Sequence, residues 1–449
     1  MARLLSSADF GRYTVAVALS SLLTLMVELG MGGYLVREAT QRPERTGTVL
    51  GHILMIQAGL GVVAVALCAL FTQILGYDAS TSLAVVLLAS GSVFTIVSAS
   101  CVAVMVALEH PLEVAAFQSG QAAALTLATI PALLAGFGPA GVAAAVLAVS
   151  ALAFPVALFL LRRRWSGSIR LQTAGISRTF RIGAAYSAAR VGAVLLTYLD
   201  AVIVQAYKGN QATALYGASY RLLLALMIIP LVYADAATRS LAHLARDDRA
   251  SLRRLYRRVT RHMFMLGLPI ATGGALLAGP LVKLLFGSDY REAASTAALL
   301  LLGLVFAYPN SLATTTALAI GRERDVALIY GTGLLLNVAL NLWLVPAVGI
   351  EGAGIAMLAA QAWLLSGMVL VCGRSGLRPL RVAALAKLVL AAGAMGLVVL
   401  ALRDLPLPVP VLAGMLAYGA GLVALRALEP EDVGALTARF RSRGDAVGG

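Results

Sequence analysis

Apolar residues run in continuous blocks of about 20 or more along nearly the whole chain, long enough to cross a hydrocarbon core as helices. Short polar or basic breaks separate them. The blocks are rich in Leu, Ala, Val and Gly and lack period-two alternation, which predicts α-helices and argues against an outer-membrane barrel. In order, the predicted spans are 10–36, 47–75, 81–107, 112–137, 139–161, 182–208, 211–240, 262–286, 292–320, 325–348, 351–372, 380–402 and 408–425. That makes about thirteen, with ends set only by where the polar breaks fall. The expected fold class is all-α, a polytopic membrane protein.

Composition agrees: of 449 residues, 60% are hydrophobic and 12% charged, too few polar groups for a soluble globule of this length. The net charge of +14 does not imply nucleic acid, because Lys and Arg gather at the ends of apolar blocks, where they anchor on anionic membrane lipids. Alternate breaks are basic: Arg37, Arg42 and Arg45; Arg162, Arg163 and Arg164 with Arg170 and Arg178; Arg253, Arg254, Arg257 and Arg258; Arg322 and Arg324; Arg374 and Arg378; and a tail with Arg439, Arg441 and Arg443. By the positive-inside rule these face the cytoplasm, so the C-terminus is expected inside. Within 246–261, Arg alternates with Leu and Tyr and predicts an amphipathic helix lying on the inner leaflet. No secretory signal is expected at the start, and the tail 429–449 is expected to be weakly ordered.

Cys68, Cys101 and Cys372 have no paired spacing and the four histidines are scattered, so no disulfide framework, metal site, cofactor or catalytic constellation is implied.

The chemistry concentrates in 195–222, LLTYLDAVIVQAYKGNQATALYGASYRL, two apolar segments joined by a polar turn at Gly209 and Asn210. Asp200 and Arg221 each lie roughly 12–15 Å below that turn at the helical rise. Opposite charges at that depth are costly unless they pair or face water, so they mark either a pathway or a structural ion pair.

An internal repeat links the two halves. Asp9-Phe10-Gly11-Arg12-Tyr13 with Ala16 echoes Ala212-Thr213-Ala214-Leu215-Tyr216 with Ser219; Glu113-Val114-Ala115 echoes Asp325-Val326-Ala327; and Gly138-Pro139-Ala140-Gly141 echoes Gly349-Ile350-Glu351-Gly352. Consistent order at offsets of about 203–212 residues predicts two parallel copies of one bundle. The expected organisation is an N-terminal transmembrane lobe over 1–161, a basic linker over 162–181 that lets the lobes move, a second lobe over 182–373, two further helices over 374–428 and the tail. The repeat would also place a helix before Phe10, where only a short stretch remains; the first helix of the fold is expected to be missing.

Four stretches carry a family resemblance: DFGRY followed by VELGMGGYLVREA, the hairpin YLDAVIVQAYKGNQATALYGASYRL, LFGSDY at 285–290, and NVALNLWLVPAVGIEGAGIA at 337–356. In order and spacing they resemble the polysaccharide flippases of the MOP superfamily, the Wzx-type transporters of lipid-linked oligosaccharides. The resemblance implies about fourteen helices in two six-helix lobes around a central cavity, with extra helices after them and both termini cytoplasmic. It also implies movement of an undecaprenyl-diphosphate-linked oligosaccharide to the outer leaflet of the plasma (inner) membrane, among membrane lipids and other polysaccharide-assembly proteins. Two other classes stand beside it: a MATE-like cation-coupled exporter, disfavoured by the extra spans and intramembrane arginines, and a membrane glycosyltransferase or polymerase, which would need a larger outer loop.

Arg221 and Arg190 are the expected diphosphate holders, since a guanidinium offers a forked donor array. Asp200 and Glu28 are candidates to carry a coupling proton or cation, or to neutralise a nearby arginine. Asn337 and Asn341, one helical turn apart, are expected on one face towards sugar hydroxyls or as glue between helices.

Overall fold

The computed structural model describes residues 6–427 apart from 29, 30, 109, 187, 379 and 381, and leaves out the side chains of 7, 37, 41, 111, 182–194, 197, 235, 236, 238, 239, 242, 243, 246 and 247. The tail 429–449 lies outside the described residues. Every regular element among those described is helical. The order is α1 (Ser7–Glu28), α2 (Met31–Gln41), α3 (Thr46–Ile74), α4 (Ala79–Ala107), α5 (Pro111–Leu134), α6 (Gly138–Arg164), α7 (Ile176–Tyr186), α8 (Ala188–Asp247), α9 (Arg249–Leu276), α10 (Ala278–Phe286), α11 (Ala293–Leu302), α12 (Leu304–Ala319), α13 (Glu323–Val348), α14 (Ile350–Arg374), α15 (Val382–Ala401) and α16 (Pro408–Ala424). The protein is an all-α polytopic membrane protein.

Among the described residues nine stretches are long and apolar enough to cross a bilayer, and ten if the bent pair α9 and α10 forms one span. The sequence pattern gives more for local reasons. Gln118 and Gln121 dilute α5, α16 has 17 residues, and residues 198–234 count once although they turn back on themselves. The 75° bend between α9 and α10 falls just before Pro280, which lacks an N–H and whose ring clashes with the carbonyl of Leu276.

Contacts divide the chain into two units, Met1–Ala218 with Tyr330–Ala356, and Ser219–Ile329 with Met357–Gly449. In the first, Met31, Leu50, Ile53, Met105 and Leu161 form one apolar cluster of α2, α3, α4 and α6, and Tyr13, Leu19, Val85, Leu88 and Val142 form another with α1. Lipid is as apolar as Leu, so packing rather than water expulsion holds such helices, and small residues let them approach. Ala84, Ala89, Ala143 and Ala157 accordingly lie fully buried between α3, α4 and α6. Polar side chains add crosslinks: Ser100 donates to Gln57 Oε1 at 3.0 Å and Thr95 to Ser150 at 3.1 Å. At the end of α1 nearest the start of α4, Arg12 pairs with Asp9 (3.1 Å) and Asp78 (3.6 Å), and Asp78 caps α4 by accepting from Thr81.

The connector after α6 is held, not free. Gly47 and Gly51, one turn apart on α3, leave a groove filled by backbone: a Cβ at Gly47 would sit 2.0 Å from the Ser168 carbonyl oxygen, and one at Gly51 2.1 Å from that of Arg170. Arg170 N–H donates to the Gly47 carbonyl at 3.1 Å.

In the second unit, Leu268, Leu388, Ala391, Met395 and Tyr418 join α9, α15 and α16, with Tyr418 Oη donating to the Met265 carbonyl at 2.9 Å. The basic stretch is the first half of α9, not a separate surface helix. Asp248 caps its first turn, accepting from Ala250 and Ser251 N–H at 2.9 and 3.0 Å, and the helix runs unbroken from Arg249 into the apolar span. No glycine or proline separates the two parts, and Leu252, Tyr256 and Val259 bury one face.

Candidate functional site

α8 is a hairpin, as the polar turn predicts. Its helical run breaks at Gly209, where φ is +76° and ψ −171°, a backbone conformation that a side chain would strain. Side-chain bonds climb down between the arms from that turn: Gln205 Nε2 donates to Asn210 Oδ1 at 2.7 Å, and Thr213 Oγ1 donates to Gln205 Oε1 at 2.8 Å. One step deeper, Tyr216 Oη donates to Asp200 Oδ2 at 2.8 Å.

The C-terminal part of α13 lies against the first arm. Lys208 Nζ donates to the Pro346 carbonyl at 3.0 Å near the turn, and Asn341 Nδ2 donates to Asp200 Oδ1 at 2.9 Å below it. The other hydrogen of Asn341 Nδ2 goes to the Asn337 carbonyl at 2.9 Å. Asn337 comes one turn earlier and lies close enough to act on the Asp200 carboxyl, although neither of its side-chain atoms reaches hydrogen-bond geometry. Asp200, Asn337 and Asn341 are all 0% exposed.

This cluster has unspent capacity. Asn341 Oδ1 and both polar side-chain atoms of Asn337 are buried without a partner, next to a carboxyl whose bonds come only from a hydroxyl and an amide. Among the described residues the side-chain bonds to Asp200 come from Tyr216 and Asn341. A buried carboxylate of this kind is costly unless its charge is compensated. One carboxyl and two amide oxygens are hard donors, suited to a proton or a small hard cation rather than to a transition metal.

A family model described as "Polysaccharide biosynthesis protein" matches residues 1–295. The chain belongs to that family. A Shigella flexneri protein named as an O-antigen transporter is 27% identical over 179 residues, covering 40% of this chain; the chain spans 42% of that relative's length. Solved structures share the fold of this family member. The lipid II flippase MurJ in an inward closed conformation has a TM-score of 0.68 at 14% identity over 94% of this chain and 97% of that one. An inward-facing multidrug resistance MATE transporter of the MOP superfamily has 0.70 at 16% identity over 84% and 95%. A MOP superfamily transporter from Pyrococcus furiosus gives 0.61 at 16% identity over 83% and 89%.

Among the remaining predicted site residues of this polysaccharide-family chain, Arg221 lies on the second arm of α8, in the second unit, half-buried and close enough to act electrostatically on the buried Tyr290 phenol. Glu28 ends α1 and is partly buried. The side chain of Arg190 lies outside the described residues. Of the six candidates, the structure therefore joins Asp200, Asn337 and Asn341. Tyr216 is the partner that sequence reasoning missed. Its signal was symmetry: Tyr216 and Asp200 stand nearly equidistant from Gly209, and antiparallel arms bring such positions level.

Proposed function

We propose that this protein flips an undecaprenyl-diphosphate-linked oligosaccharide from the cytoplasmic to the outer leaflet of the plasma membrane by alternating access, with its C-terminus in the cytoplasm. The observation that carries this reading is membership of the polysaccharide biosynthesis protein family by a chain with a transporter fold. The physics requires such a device, because a pyrophosphate and a string of sugar hydroxyls cannot cross hydrocarbon unaided. Arg221 and Arg190 hold the diphosphate. Asp200 supplies the coupling: its charge is balanced by a proton or a small monovalent cation, taken up among Asn337, Asn341 and Tyr216. Cation coupling and flipping are compatible, and the unpartnered amide oxygens beside Asp200 support their combination.

The test is complementation of a strain lacking its own flippase, scored by surface polysaccharide. Wild type restores the polymer, and Arg221→Ala with Arg190→Ala abolishes it while the protein still reaches the membrane. Full restoration by the double variant would remove the diphosphate assignment, and failure of wild type across several lipid-linked saccharides would remove the flippase reading.

A further inference from the structure

The structure brings together two stretches that the charge pattern treats as separate basic breaks, the loop after α2 and the end of the connector after α6. They enclose a cavity of about 410 Å³, in the range of about 300–1,000 Å³ that small-molecule sites occupy. Tyr34, Arg42, Arg45, His52, Arg178 and Thr179 face it.

Three features fit an anion rich in acceptor oxygens. The first is charge. Three guanidinium groups face a single carboxylate, Glu38, which Arg42 engages at 3.5 Å. Arg45 and Arg178 make no ion pair among the described residues, and all four charges act on the Tyr34 phenol, so they converge on one small volume.

The second is a poised imidazole. His52 is 4% exposed, and its Nδ1 sits 3.0 Å from Thr179 Oγ1. That contact occupies Nδ1, and Nε2 is buried with no partner. The imidazole thus packs at the wall of the cavity with one ring nitrogen unspent. The third is the start of α7 at the rim. Gly175, at φ +88°, turns the chain so that the helix begins there, adding the positive end of its dipole.

We propose that this cavity binds a phosphate or diphosphate group. Arginine forks match the tetrahedral oxygens, the His52 imidazole stands at the wall beside them, and Glu38 holds Arg42 in place without cancelling the site's charge. The residues lining it include neither Arg221 nor any member of the Asp200 cluster. Its chemistry does not depend on transport; only the identification of the occupant as the substrate's head group rests on the flippase reading.

The experiment is calorimetric titration of the purified full-length protein in uncharged detergent with two probes, inorganic pyrophosphate and farnesyl diphosphate in mixed micelles. Arg45→Gln with Arg178→Gln tests the site, since both side chains are exposed at its mouth, and an unchanged size-exclusion profile is the expected check that the fold is kept. Arg253→Gln with Arg257→Gln, exposed on α9, is the control for bulk charge. Saturable binding, at least tenfold weaker in the pocket variant and unchanged in the control, is expected. His52→Phe should weaken binding in the same assay. Tighter binding of the lipid probe would identify the occupant as a lipid head group, and equal or tighter binding of pyrophosphate would identify a soluble phosphate; both uphold the site. No saturable binding of either probe, or equal weakening in the control, overturns it. A chain that binds pyrophosphate yet fails the complementation test keeps this site and loses the flippase reading.

Discussion

Asp200 offers the sharpest test, because substitutions there separate a hydrogen-bond acceptor from a charge. Asp200→Ala deletes the acceptor of two buried donors, Tyr216 Oη at 2.8 Å and Asn341 Nδ2 at 2.9 Å. Tyr216 is 1% exposed and Asn341 0%, so water cannot replace what is lost. Each stranded donor would cost about 1–3 kcal/mol in a soluble core. Within membranes, measured side-chain bonds average about 0.6 kcal/mol and reach about 1.7, because the unfolded chain also finds partners there. The lower scale governs here, giving about 1–3 kcal/mol for Asp200→Ala. Asp200→Asn keeps one acceptor oxygen, the Tyr216 hydroxyl can turn to accept from the new amide, and no uncompensated charge remains to be buried. Its cost should stay below about 1 kcal/mol. Thermal unfolding of the purified protein in detergent reads the difference: Asp200→Ala melts clearly lower and Asp200→Asn near wild type. Adding Tyr216→Phe to Asp200→Ala should recover stability, since it removes a stranded donor. In complementation the two variants should instead fail alike, because both abolish proton or cation uptake. If Asp200→Asn were as destabilised as Asp200→Ala, the charge itself would hold the cluster, and the argument for a compensated carboxyl would be refuted.

Two further outcomes follow from packing and capping. Gly11 lies against the hairpin turn so closely that a Cβ there would stand 1.9 Å from the Asn210 carbonyl oxygen; Gly11→Ala should destabilise by about 1–3 kcal/mol, read as a lower unfolding temperature, whereas Gly59→Ala, with open space, should not. Asp78 is held below the usual carboxylate range: partial burial pushes it up, but hydrogen bonds from Thr81 and the Arg12 guanidinium outweigh that. A depressed carboxyl stabilises the fold above its ordinary value of 3.8, and that contribution fades as pH falls through the lower folded value. Asp78→Ala should therefore cost about 1 kcal/mol at neutral pH and flatten the acid limb of the unfolding-temperature profile below pH 4.

What could be read from the chain follows the range over which its causes act. Span positions and the α8 hairpin depend on local polarity and on Gly209, so continuous apolar blocks and one polar turn reveal them. Asn337 and Asn341 share a face because they are one turn apart, which periodicity alone dictates. Their meeting with Asp200 does not follow from any local rule, since α13 reaches the first arm of α8 across more than a hundred intervening residues. The connector groove shows a middle case. Gly47 and Gly51 have the spacing at which small residues let backbones approach closely. That signal stood in the sequence, yet nothing in it said that residues 168–170 would be the backbone to approach. Charge misled in the opposite way. Arg42, Arg45 and Arg178 were sufficient to orient the chain as anchors, and a positive residue at a helix end needs no further reason. Only when the connector seats in the groove does Arg178 come to face Arg42 and Arg45 across a cavity with His52 at its wall, and charges that read along the chain as separate anchors come to line one volume, the proposed anion site.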